Sequence, residues 1–363
     1  MNAKKVLIWG ITGQTGSYLA ELLLSKGYEV VGVSRRTSTP NDERIRHLYS
    51  EYDSLRFRTV QGDVTDPMCV YRNIADFVPD EIYNLAAQSF VGLSFIEPSH
   101  TTDVTYKGAL NILEAIRTYR SHGQWFDNMR FYQASSSEMF GSACSLNYAE
   151  YGTRHYDATK NDFTDLQRDC LFQSEKTPFI PNSPYAVAKL AAHNLVRVYR
   201  ESYGLFVCSG ILMNHESPRR GEQFVTRKIT KYLANYKSEK QAGRTPAKLK
   251  LGNLAAKRDW GHASDYTRAM WLMLQQPMPD DYVIATGEAH SVQDFLDRAL
   301  FHAGLVGEDL VEIDPTLFRP CEVPFLRGDA SKAKKVLGWS PQVSFDELVK
   351  EMVESDMLAA GVF

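Results

Sequence analysis

Apolar residues come along this chain in short blocks, separated by stretches in which they recur at helical spacing. The blocks at 5–9, 29–33, 55–61, 81–85, 129–134, 205–213 and 282–285 have the length and composition of buried strands. Between them lie helical stripes: Leu19, Leu22 and Leu23 before a stop at Gly27, then Ala109, Ile112, Leu113 and Ile116, then a run from 183 to 204. Alternating strands and helices predict an α/β fold built on a doubly wound parallel (Rossmann) sheet, whose ligands lie at the carboxyl ends of the strands.

Past Met213 the chain turns basic and polar, which predicts a second, smaller C-terminal α/β domain that binds substrate. The expected division is 1–213 for the nucleotide-binding domain, with 258–290 returning to it, and 214–257 plus 291–363 for the second. No internal repeat or low-complexity tract interrupts the pattern. The least orderly stretch is 142–176, rich in Tyr, Asp, Thr and Asn.

Composition narrows the class. The 363 residues are 44% hydrophobic, enough for a sizeable core, and 41 Lys plus Arg against 44 Asp plus Glu leave a net charge of -3. That balance argues against a nucleic-acid surface or a polybasic membrane contact. There is no apolar run of spanning length, and the N-terminus leads straight into a strand, so a cytoplasmic enzyme is expected. Five scattered cysteines give no Cys-x-x-Cys pair, and His215 and Glu216 are adjacent rather than three or four apart, so neither disulfides nor a metal are predicted.

The chemistry begins at Gly10-Ile11-Thr12-Gly13-Gln14-Thr15-Gly16, between the first strand and a helix. Glycines let the backbone turn tightly against a pyrophosphate, and the helix N-terminus offers it unpaired N–H groups. Where an NAD-binding protein places an acid on the ribose, this chain has Ser34-Arg35-Arg36, so a 2′-phosphate and hence NADP are expected. Polar residues past later strand ends are further candidates: Asp63, Ala86-Ala87-Gln88-Ser89 and Ser135-Ser136-Ser137-Glu138. In Ser183-Pro184-Tyr185-Ala186-Val187-Ala188-Lys189, Tyr185 and Lys189 share a helix face; an ammonium beside a phenol lowers its pKa and makes it a proton acceptor for alcohol oxidation. Arginines at 219, 220, 227, 258, 319 and 327 would suit a diphosphate-bearing substrate where they converge on one cleft.

Together these motifs resemble the extended short-chain dehydrogenases/reductases that modify sugar nucleotides. The closer resemblance is to the GDP-mannose 4,6-dehydratase family. It is carried nearly end to end by segments 10–21, 132–135, 214–221 (Asn-His-Glu-Ser-Pro-Arg-Arg-Gly), 224–228, 257–261, 269–274 and 319–323. The resemblance implies a lyase in which Tyr185, assisted by Lys189, takes the 4-hydroxyl proton while hydride leaves C4. Glu138 then removes the C5 proton, Ser136 assists loss of the C6 hydroxyl, and hydride returns to C6. It implies cofactor contacts at Gly10, Thr12, Gly13, Gln14, Gly16, Arg35, Arg36, Asp63, Val64, Leu85, Ala87, Gln88, Ser89, Lys189, His215 and Arg220. Implied substrate contacts are Ser89, Asn214, Lys228, Arg258, Arg319 and Glu322. A homotetramer or homodimer is implied as well, with the loop after Arg36 near a subunit interface.

The chain departs from the family pattern at three places. Ser136 stands for the usual Thr, Trp9 and Thr15 stand for Thr and Asp, and the stretch between Gly141 and Tyr185 is about two dozen residues longer than usual. The added stretch is expected to cap the site or form an oligomer contact. Competing readings are the same reaction on another GDP-sugar such as a GDP-manno-heptose, a sugar-nucleotide epimerase, or a non-catalytic NADP-binding protein. Glu138 weighs against a simple 4-epimerase, which needs no C5 base.

Overall fold

A computed structural model describes residues 3–120, 129–143 and 172–362. Seven strands form one sheet: β1 (Lys5–Trp9), β2 (Glu29–Ser34), β3 (Phe57–Gln61), β4 (Glu81–Asn84), β5 (Arg130–Ala134), β6 (Phe206–Leu212) and β7 (Tyr282–Ile284). All neighbours pair in parallel, in the order β7-β6-β5-β4-β1-β2-β3. The order reverses at β1, whose Trp9 faces Val33 on one side and Asn84 on the other. A crevice opens outside the carboxyl ends at such a switch point.

Alternation along each strand feeds two apolar layers. Val6 and Ile8 pack with Leu19 and Leu23 of α1 (Gln14–Ser25) and with Met270 of α6 (Ala263–Gln275), whereas Leu7 and Trp9 point the other way. There they meet Ile74 of α2 (Pro67–Phe77), Ile112 of α3 (Gly108–Arg120) and Val196 of α4 (Pro184–Tyr203). Trp9 is thus core.

A second core joins Ile229 and Leu233 of α5 (Val225–Gln241), Phe295 of α7 (Val292–Ala303) and Met352 of α9 (Phe345–Ala359) around Trp260. The domain boundaries drawn from sequence meet two exceptions. Ala333 and Leu337 of α8 (Ser331–Leu337), with Trp339, belong to the first core, where the Trp339 indole donates to the Asp265 carbonyl in the first turn of α6. Trp260, grouped above with the first domain, packs in the second core.

The expected insertion at 142–176 is described only at its two ends; Cys144, Cys170 and 144–171 as a whole lie outside the described residues. The ends meet. Gln173 Nε2 donates to the Ala143 carbonyl at 3.3 Å, and Gly141 bridges Ile180. Gln173 also exchanges backbone hydrogen bonds with Arg327 and Asp329, and its Oε1 accepts from the Arg327 N–H at 2.8 Å.

Candidate active site

The glycine turn shapes one wall of a cavity of about 610 Å³ at the switch point. Gly10 has φ +84°, and a Cβ on Gly16 would lie 2.4 Å from the Gly10 carbonyl oxygen, so this path admits no side chain at 16. Helix α1 begins on Gly13 with neither a capping side chain nor an acid in its first turn. Its free N–H groups and positive dipole end therefore face the cavity.

Long-range hydrogen bonds tie this turn to 214–221. Gln14 donates to the His215 carbonyl at 2.9 Å and accepts from the Ser217 hydroxyl at 2.7 Å, while Thr15 Oγ1 meets His215 Nε2 at 2.8 Å. Burial, with Arg220 nearby, pushes the His215 pKa down to about 4, and the ring stacks on Tyr266. A neutral imidazole results at physiological pH.

The opposite wall comes from the end of β5 and the start of α4. Ser136 Oγ accepts from the Glu138 N–H at 3.2 Å, fixing the short turn Ser137–Met139. Ser183 caps α4 by accepting from the Ala186 N–H at 3.1 Å, Pro184 starts it and Gly204 ends it at φ 61°. That start aims Tyr185 and Lys189 into the cavity. Tyr185 faces Ser136 and Glu138 across the same cavity.

Burial dominates the electrostatics of this wall. It pushes the Tyr185 phenol up to about 12; the Ser136 hydroxyl and the Arg220 charge pull down, and the Glu138 charge adds to the rise. The Lys189 ammonium donates to the Ala134 carbonyl at 2.7 Å and stands 5.8 Å from the centroid of the Tyr185 ring, and burial brings its own pKa down to about 8. Desolvation opposes charge on both groups.

The third wall is charged. Glu216 is buried, which raises its pKa; it accepts from Thr226 at 2.6 Å and lies 3.0 Å from Arg220 Nε, so it orients that guanidinium. Lys228 is held by the Lys250 carbonyl at 2.8 Å. Arg258, buried and with its pKa lowered by that burial, pairs with Glu322 at 3.2 Å. Arg319 stands 3.4 Å from Glu138 and 3.9 Å from Glu322.

The cavity brings together most of the residues singled out from sequence. Gly10, Thr12, Gly13, Gln14, Gly16, Leu85, Ala87 and Ser89 line it, with Ser136, Glu138, Tyr185 and Lys189 opposite. Asn214, His215, Arg220, Lys228, Arg258, Arg319 and Glu322 complete it. Arg35, Arg36, Asp63, Val64 and Gln88 do not line it. The two arginines are exposed past β2, Asp63 turns back to accept from Thr65 at 2.7 Å, Val64 is core, and Gln88 folds onto its neighbour Phe90.

Sequence reasoning missed Asn41 and Arg44, which do line the cavity. Arg44 donates to the carbonyls of Arg219 (2.8 Å) and Thr12 (3.4 Å), and burial and neighbouring guanidiniums lower its pKa. Its only sequence signal was a basic residue within the loop after Arg36.

Comparison with known proteins agrees with the geometry. A family model described as GDP-mannose 4,6 dehydratase matches residues 7–161 and 158–352. GDP-mannose 4,6 dehydratase 2 of Arabidopsis thaliana is 51% identical over 358 residues, 98% of this chain and 87% of that protein. Among solved structures, dTDP-glucose 4,6-dehydratase of Streptomyces venezuelae with NAD superposes at TM-score 0.78 with 22% identity, over 98% of both chains. RMD of Pseudomonas aeruginosa, complexed with NADPH, superposes at 0.71 with 19% identity, over 98% of this chain and 100% of that one. These two likenesses establish the fold.

Proposed function

Because this chain belongs to the GDP-mannose 4,6-dehydratase family, we propose that it converts GDP-mannose to GDP-4-keto-6-deoxy-mannose with a bound nicotinamide cofactor, NADP. The observation that carries the reading is a carboxylate, Glu138, facing the same cavity as Tyr185 and Ser136. Oxidation and reduction at C4 need only the tyrosine and a hydride carrier; water loss across C5 and C6 needs a further base.

The glycine turn fits a dinucleotide, since a Cβ at Gly16 would fill the space its backbone leaves and the α1 N-terminus is uncapped. Gly13, Gln14 and Gly16 would hold its pyrophosphate, and His215 and Arg220 stand along the same wall. NADP is favoured over NAD by Arg35 and Arg36 after β2 and by Arg44 beyond them, in place of a carboxylate. The cofactor supplies a hydride acceptor for C4 and a hydride donor for C6.

Tyr185 accepts the proton of the sugar 4-hydroxyl as C4 is oxidised, with Arg220 and Ser136 favouring its phenolate. The resulting ketone acidifies the C5 hydrogen, which Glu138 removes as a general base. Ser136, facing the same cavity as Tyr185, assists departure of the C6 hydroxyl as water. Lys228, Arg258 and Arg319 bind the diphosphate, guanidinium pairing bidentately with phosphate oxygens. On this reading the protein works in the cytoplasm as a homotetramer or homodimer. The exposed Val187 and Val198 of α4 support association, and light scattering measures it.

The test is incubation of the purified protein with GDP-mannose, with and without added NADP+, followed by mass spectrometry and NMR. Loss of one water with a 4-keto-6-deoxy product is the expected result. An unchanged sugar nucleotide on enzyme that retains its cofactor would refute the reading.

A further inference from the structure

Glu138 and Arg319 lie 181 positions apart in sequence and are brought together across the cavity, Arg319 Nη1 standing 3.4 Å from Glu138 Oε1. The pair is one end of a row of alternating charges. Arg319 is 3.9 Å from Glu322 Oε1, and the same oxygen is 3.2 Å from Arg258 Nη2. The two arginines differ in how firmly they are held. The Arg258 side chain is only 7% exposed and also donates to the Lys257 carbonyl, whereas that of Arg319 is 32% exposed and its contacts are the longer ones. Arg319 is the member of the row that can leave.

We propose that Arg319 is a latch: it occupies the Glu138 carboxylate until a nucleoside diphosphate draws its guanidinium away and frees the base. This inference rests on the assignment of Glu138 as the C5 base. The exchange is chemically matched, because a diphosphate offers a guanidinium fork more acceptor oxygens and more charge than one carboxylate. Glu322 offers Arg319 a second carboxylate at 3.9 Å, next to the Arg258 guanidinium that it already holds. Binding the nucleotide end of the substrate thereby exposes the base at the sugar end. Apparent affinity carries the cost, since a ligand that needs an open latch binds more weakly by the fraction of molecules in which it is open.

The test is a double-mutant cycle read by calorimetric titration of GDP, which lacks the sugar, into the cofactor-loaded protein. Glu138→Gln removes the competing charge and tightens GDP by about two- to fivefold, the worth of a partly exposed ion pair. Arg319→Met weakens GDP, Arg319→Lys restores part of the loss, and adding Glu138→Gln to Arg319→Met changes nothing further. Equal tightening in both backgrounds would mean that Glu138 merely repels the diphosphate, and no tightening in either would mean that the pair does not restrain Arg319; each overturns the latch. Turnover of GDP-mannose by Glu138→Gln is a separate readout. Retained turnover would remove Glu138 from the base role whatever the binding cycle shows.

Discussion

The Lys189 ammonium donates to the carbonyl of Ala134 at 2.7 Å, while its Nζ stands 5.8 Å from the centroid of the Tyr185 ring. The lysine is anchored to a strand end, in surroundings dry enough to bring its pKa from 10.5 to about 8. Below pH 8 it is protonated in both folded and unfolded chains, and the folded state bears the full cost of the buried charge, on the order of 3 kcal/mol. Between pH 8 and 10.5 the unfolded chain binds more protons, so stability rises with pH and the cost fades. Lys189→Met should therefore unfold at higher denaturant concentration at pH 7, by about 2 kcal/mol, with the advantage shrinking towards pH 10.5. Gln133 still satisfies the Ala134 carbonyl at 3.1 Å. Turnover should be lost. Denaturation series across this pH range check the sign.

The Arg220 charge lowers the pKa of the Tyr185 phenol, and Glu216 holds that guanidinium there. Removing a positive charge disfavours phenolate. Arg220→Met should shift the acidic limb of the kcat/KM profile to higher pH, so that the variant regains activity as the medium becomes more alkaline. A uniform loss at every pH would remove Arg220 from this role.

Ser136 serves two groups, accepting from the Glu138 N–H and pulling the pKa of the Tyr185 phenol down. Ser136→Ala should lower kcat on the order of a hundredfold with little change in KM. Ser136→Thr restores the family's residue and should keep full activity, since the added methyl only restricts the rotamer.

Cofactor choice turns on the exposed pair after β2. Replacing Arg35 and Arg36 with Ser should weaken NADPH by about tenfold or more, the worth of charge-assisted hydrogen bonds, while leaving NADH unchanged. Fluorescence titration of the reduced cofactors measures both. Equal losses would show that neither arginine reads the 2′-phosphate.

Much of this was legible in the chain because it is local. All seven strands carry their own apolar blocks, and α4 announces itself with Ser183 at one end and Gly204 at the other. What escaped depends on distant segments meeting. Arg44 gained its place from the carbonyls of Thr12 and Arg219, and spacing along a helix could not reveal that Lys189 is anchored to the Ala134 carbonyl. The fate of α8 was hidden for the same reason, since only packing tells which of two cores Leu337 enters.

The meeting of Ala143 and Gln173 makes that point in the chain a splice junction. Because its two ends are already clasped, a flexible segment grafted between them would add loop-closure entropy only logarithmically, about 0.6 kcal/mol for each doubling of length. Evolution could lengthen or exchange the cassette without disturbing the bridge from Gly141 to Ile180 or the helix that follows. A protein engineer could graft a reporter domain or an affinity tag at the same place.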